Sequence, residues 1–168
     1  MTVAAFMAAQ LAAQGVTHAF GIPGGVVLDF LYALEAQSGL TPHLCYHEQG
    51  AGFAACGFAQ ATGTLGVAYA TRGPGFTNLI TPIAEAYCDS VPVLFVTAHA
   101  TPELPGNMRV RADQEIDVCA LVKGIVKDAV RLDVLEDVVP VFERLCRLAM
   151  SGRKGPVVLD VACVRTLG

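Results

Sequence analysis

Between Glu35 and Arg72 the only formally charged side chain is Glu48, set in L-C-Y-H-E-Q-G-A-G-F-A-A-C-G-F-A-Q-A-T-G, a stretch otherwise apolar, small and glycine-rich. An ionised carboxylate in such surroundings is costly unless it is protonated, meets a cation or hydrogen-bonds a partner. No Lys or Arg precedes position 72. A local salt bridge is therefore closed off, which favours a partner brought from outside the chain. The competing reading is an acid at a helix N-terminus in a solvated loop.

The elements that must hold Glu48 are legible as an alternation of helical and strand patterns. Helical periodicity covers Val3 to Gln14, Val26 to Gln37, Glu48 to Ala61, Phe76 to Tyr87, Ile116 to Leu121 and Leu135 to Met150. Short apolar runs at Thr17 to Ile22, His43 to His47, Leu65 to Ala70, Val93 to Ala98, Val126 to Leu132 and Val157 to Val161 predict strands, and His99 to Ala112 predicts an irregular segment. Continuous apolar strands separated by helices belong to a parallel sheet covered on both faces. The expectation is one three-layer αβα domain over residues 1–168, with a mostly parallel sheet of about six strands. Ligands of such sheets bind outside the carboxyl ends of the strands. That edge carries Pro23-Gly24-Gly25, His47-Glu48-Gln49, Thr71-Arg72-Gly73-Pro74-Gly75 and the loop from His99 to Gln114.

Composition narrows the function classes. Charged residues make up 15% of the chain against 54% hydrophobic, which predicts that part of the surface is covered by another chain. A net charge of −4, with all eleven basic residues between Arg72 and Arg165 and no long run among them, argues against a nucleic-acid footprint. The uncharged opening lacks the basic start of a targeting segment. The uncharged run Gln49 to Thr71 carries five glycines, two glutamines and three threonines, which reads as helix, turn and buried strand and not as a membrane span. Six cysteines without a C-x-x-C pair, each in an apolar segment, read as buried free thiols in a reducing cytoplasm.

Gly73-Pro74-Gly75 and the G-I-P-G-G of the first strand could cradle a phosphate, but neither matches the dinucleotide or the P-loop fingerprint. Tight turns for close helix packing explain them equally well. The small residues Gly50, Ala51, Gly52, Ala54, Ala55 and Gly57 suit helix-to-helix packing, inside the chain or between subunits.

In this order, G-V-T-H-A-F-G-I-P-G-G, H-E-Q-G-A-G-F-A-A-C-G-F-A-Q-A-T-G, A-T-R-G-P-G-F-T-N-L-I-T-P-I-A-E-A-Y-C-D-S-V-P-V-L and G-P-V-V-L-D-V closely resemble the N-terminal pyrimidine-binding (PYR) domain of thiamine diphosphate enzymes. The nearest group is the acetolactate synthase and 2-oxo acid decarboxylase family, and the resemblance runs from Val3 to about Val161. It implies that Glu48 hydrogen-bonds N1′ of the cofactor's aminopyrimidine ring and, by sharing a proton there, supports removal of the thiazolium C2 proton. It also implies that Ile22, Pro23, Pro74 and Asn78 line the cofactor and that Gln114 is a substrate-side polar group. Two departures bear on the substrate, a 2-oxo acid in this family. Asp113 precedes Gln114 where synthases often have an aromatic residue. Arg72 stands where serine is common, which suits an acidic substrate. His47 and His99 lie on the same edge, in pocket-lining or structural roles.

The family holds the diphosphate through Mg2+ on a second, diphosphate-binding (PP) domain, marked by G-D-G and an asparagine some twenty-five residues on; this sequence has no such motif. The central domain is missing as well. The chain alone is thus expected to be inactive, either as the first part of a longer enzyme or as one subunit of a split enzyme of the sulfopyruvate decarboxylase kind, and to form a homodimer through its PYR helices. The alternatives are a non-catalytic assembly or regulatory module and a generic nucleotide-binding domain. Glu48 argues against the first, and the missing phosphate fingerprints against the second.

Overall fold

A computed structural model describes residues 1–99, 114–133 and 137–162. Six strands, β1 (His18–Gly21), β2 (Thr41–Leu44), β3 (Gly66–Tyr69), β4 (Val93–Thr97), β5 (Asp128–Leu132) and β6 (Val157–Val161), form one sheet in the order β2-β1-β3-β4-β6-β5. Every pairing is parallel. Strands β3, β4 and β6 are buried at every position, as apolar runs covered on both faces must be.

Two helical layers supply that cover. On one face α1 (Val3–Ala13), α2 (Leu28–Ala36) and α7 (Val138–Met150) pack around Met7, Leu11, Phe30, Leu34, Phe142 and Leu145. On the other, α3 (Glu48–Thr62), α5 (Ile80–Cys88) and the short α6 (Val118–Val122) close over Phe76, Leu79, Ile83, Phe95 and Val158. No helix among the described residues is long and apolar enough to cross a membrane.

Two elements differ from expectation for physical reasons. The second strand is Thr41–Leu44, earlier than His43 to His47, because Tyr46 is fully exposed and His47 is already the N-cap of α3, its Nδ1 accepting from Gln49 N at 3.1 Å. Pro42 is tolerated since β2 is an edge strand. The helix expected from Phe76 to Tyr87 is two pieces, α4 (Pro74–Thr77) and α5, broken at Asn78-Leu79. Pro82 is the cause: it lacks the N–H that would bond to the Asn78 carbonyl, and its ring crowds that carbonyl.

The thiols also differ in part: Cys56 and Cys146 are buried, Cys45 and Cys119 are half-buried and Cys88 is exposed. The irregular segment from 100 to 112, Asp113, the start of the last helix at Leu135 and Cys163 lie outside the described residues.

Candidate functional site

The sheet order reverses between β1 and β3, since β2 lies to one side of β1 and β3 to the other. This switch point opens a crevice at the carboxyl end of the sheet. Three loops converge on it. A Cβ built on Gly24, after β1, would stand 2.6 Å from Thr71 Cβ, after β3. A Cβ on Gly75 would stand 2.7 Å from Thr71 Cγ2 and 3.3 Å from Glu48 Oε1. Glycine is thus what lets the first and third loops close around the first residue of α3.

Glu48 is half-buried at the start of α3. Its Oε2 accepts a hydrogen bond from Asn78 Nδ2 at 2.9 Å, while Oε1 accepts none from the described residues. One oxygen is therefore fixed and the other faces the glycine-lined gap. The break forced by Pro82 makes Asn78 the C-cap of α4 and frees its amide to reach across thirty residues of sequence. Sequence reasoning placed both residues at the site but missed that they are bonded; the helix-breaking proline was the signal.

Ile22, half-buried, and Pro23, exposed, follow β1 directly, and Pro74 is exposed as the first residue of α4. Arg72 is half-buried on the third loop and makes no hydrogen bond or ion pair with the described residues. Gln114 packs against the same loop: a Cβ on Gly73 would lie 2.3 Å from the Gln114 carbonyl oxygen. Both residues have left-handed backbones, Gly73 at φ +62° and Gln114 at φ +58°, and for a non-glycine residue this costs about 1–2 kcal/mol.

His99 is not at this crevice. It is buried beyond β4, with Nδ1 at 2.9 Å from Asp160 Oδ1 and Nε2 at 3.2 Å from Asp133 Oδ1. His47 serves as a helix cap. Both have structural roles. A cavity of about 600 Å³ between α1 and α7, lined by Gln10, Gln14, Glu143, Cys146 and Arg147, contains none of the site residues.

The sequence family described as "Thiamine pyrophosphate enzyme, N-terminal TPP binding domain" matches residues 1–121. The acetolactate synthase isozyme 2 large subunit of Escherichia coli (strain K12) is 41% identical over 161 residues, 96% of this chain and 29% of that protein. The acetolactate synthase large subunit of Buchnera aphidicola subsp. Schizaphis graminum is 42% identical over 148 residues, 88% of this chain and 25% of that protein. The probable acetolactate synthase large subunit of Methanocaldococcus jannaschii is 44% identical over 151 residues, 90% of this chain and 25% of that protein. The chain thus spans about a quarter of the length of the curated relatives it matches. With its parallel sheet, its glycine-lined crevice and a family match over most of its length, the chain belongs to the thiamine diphosphate enzymes, as their N-terminal thiamine diphosphate-binding domain.

Proposed function

We propose that this chain supplies the pyrimidine side of a thiamine diphosphate site in an enzyme of acetolactate synthase-like chemistry, decarboxylating a 2-oxo acid and joining what remains to an acceptor. The observation that carries the reading is Glu48 at the switch point, with Oε2 held by Asn78 and Oε1 beside the gap left by Gly75. When bound, the cofactor supplies a thiazolium that takes up the electron pair left by loss of carbon dioxide. Glu48 Oε1 would share a proton with the ring nitrogen N1′, and Asn78 would keep that carboxylate from rotating away. Ile22, Pro23 and Pro74 would wall the ring. Gln114 and Arg72 serve the substrate side, and the half-buried guanidinium of Arg72, without a partner among the described residues, suits a second acidic group on the substrate.

The diphosphate and its Mg2+ are assigned to a PP domain of the same or another polypeptide, because the G-D-G motif does not occur in this sequence. A homodimer through α3 is supported by its outer face. Gly50 and Gly57 have nothing within 4 Å of an added Cβ among the described residues, and Phe53 is 36% exposed, so this face of α3 is open to a second copy. The free thiols suit a cytoplasmic setting.

The test is Glu48→Gln in the enzyme assembled with its diphosphate-binding half. Glutamine keeps the size but cannot share an acidic proton, and turnover should fall about a hundredfold to ten-thousandfold with the fold intact. Turnover within a few-fold of wild type would remove Glu48 from the mechanism.

A further inference from the structure

Gln114 holds a left-handed backbone while its carbonyl packs on Gly73. Such strain persists only where the surroundings over-determine it. The next residue supplies the constraint. Glu115 is 6% exposed, and a carboxylate that deep requires a cation. Arg131 on β5 provides it, with NH2 at 2.8 Å from Glu115 Oε1. The guanidinium is itself pinned: NH1 lies 3.4 Å from Asp160 Oδ2, on the strand position paired with Arg131, and Nε lies 3.3 Å from Asp133 Oδ1. Asp160 is held in turn by His99. Burial works against the Arg131 charge, but Asp160, the Glu115 contact and Asp133 outweigh it and hold the group above its ordinary value.

We propose that the Arg131–Glu115 ion pair is a positioning device. It anchors the Gln114 peptide to the β5-β6 half of the sheet, and that peptide fixes the turn at Gly73 and Pro74 beside Glu48. Arg131 and Glu115 touch neither Glu48 nor Asn78 and act through Gln114 and Gly73. A guanidinium set among the carboxylates of Glu115, Asp160 and Asp133 suits the task, because its three nitrogens meet charges on neighbouring elements at once. The anchor is argued from contacts alone; its value to cofactor binding rests on the proposed thiamine reading.

The test is hydrogen–deuterium exchange by mass spectrometry on the purified protein, comparing wild type, Glu115→Gln and Arg131→Lys. Both variants keep size closely, and Arg131→Lys keeps the charge while losing the fork. If the pair is an anchor, exchange should rise about tenfold in peptides covering 71–79 and 114–117, while β4, β6 and α1 stay within about twofold. An unchanged loop in a folded variant overturns the proposal, and so does an equal rise in every strand, which marks a purely structural pair. Should Glu115→Gln fail to fold, Arg131→Lys gives the same comparison. In the assembled enzyme the same variants should raise the KM for thiamine diphosphate about tenfold with kcat nearly unchanged. Loosened loops with an unaltered KM keep the anchor and count against the thiamine reading.

Discussion

Glu48 was legible from sequence because its neighbours are uncharged, so its isolation could be read without a structure. Its bond to Asn78 was not read, since T-N-L-I-T-P signals a helix break at Pro82 but does not name the partner thirty residues away that the break lets Asn78 meet. Arg131 and Glu115 were equally silent, because two ordinary charges sixteen residues apart pair only through the β5 position of Arg131. A hydrogen bond to a charged group contributes about 1.5–3 kcal/mol. Asn78→Ala should therefore lower cofactor-dependent turnover about tenfold to hundredfold, less than loss of the carboxylate itself, as read from kcat/KM of the assembled enzyme. An effect as large as that of Glu48→Gln would mean that Asn78 does more than hold Oε2.

At the scale of elements, periodicity located the six strands and the principal helices, and the errors were of boundary and of one unforeseen helix break. The second strand and the fourth helical segment depended on an edge position and on a proline, neither of which periodicity reports. The small-residue run of α3 serves two surfaces, which the sequence could not separate. Ala51, Gly52 and Ala55 face inward, where a Cβ on Gly66 would meet the Ala55 carbonyl at 2.5 Å, whereas Gly50, Phe53 and Gly57 face outward. Arginine at Ala55 should accordingly unfold the domain, and Phe53→Arg should break assembly and leave folding unchanged. Sedimentation beside thermal unfolding separates the two, and an intact dimer in Phe53→Arg would refute the proposed interface. Gly73→Ala combines a left-handed backbone with a 2.3 Å collision against Gln114. It should lower stability by about 3 kcal/mol, from the handedness cost plus overpacking. The urea midpoint reports it, and an unchanged midpoint would show that the two loops do not press on one another.

For the whole molecule, the parallel three-layer architecture follows from apolar strands alternating with helices, and the switch point then places the site. One global property does follow from this chain alone. Burial pushes the Cys56 and Cys146 thiols up from 9.0 to about 12. A raised folded-state value means that the unfolded chain loses these protons first, so the contribution is full below pH 9 and is lost progressively as pH rises toward 12. Stability to urea should be flat through neutral pH and fall across that alkaline window. Alanine at both positions should flatten the alkaline slope; a slope unaltered by the double variant would place its origin elsewhere.

The central claim, that Glu48 activates thiamine diphosphate across an assembled site, is tested most directly by C2 proton exchange of the bound cofactor, followed by NMR after acid quench. The account predicts that Glu48→Gln slows exchange about a hundredfold or more while the cofactor stays bound. Exchange at the wild-type rate in that variant would contradict it.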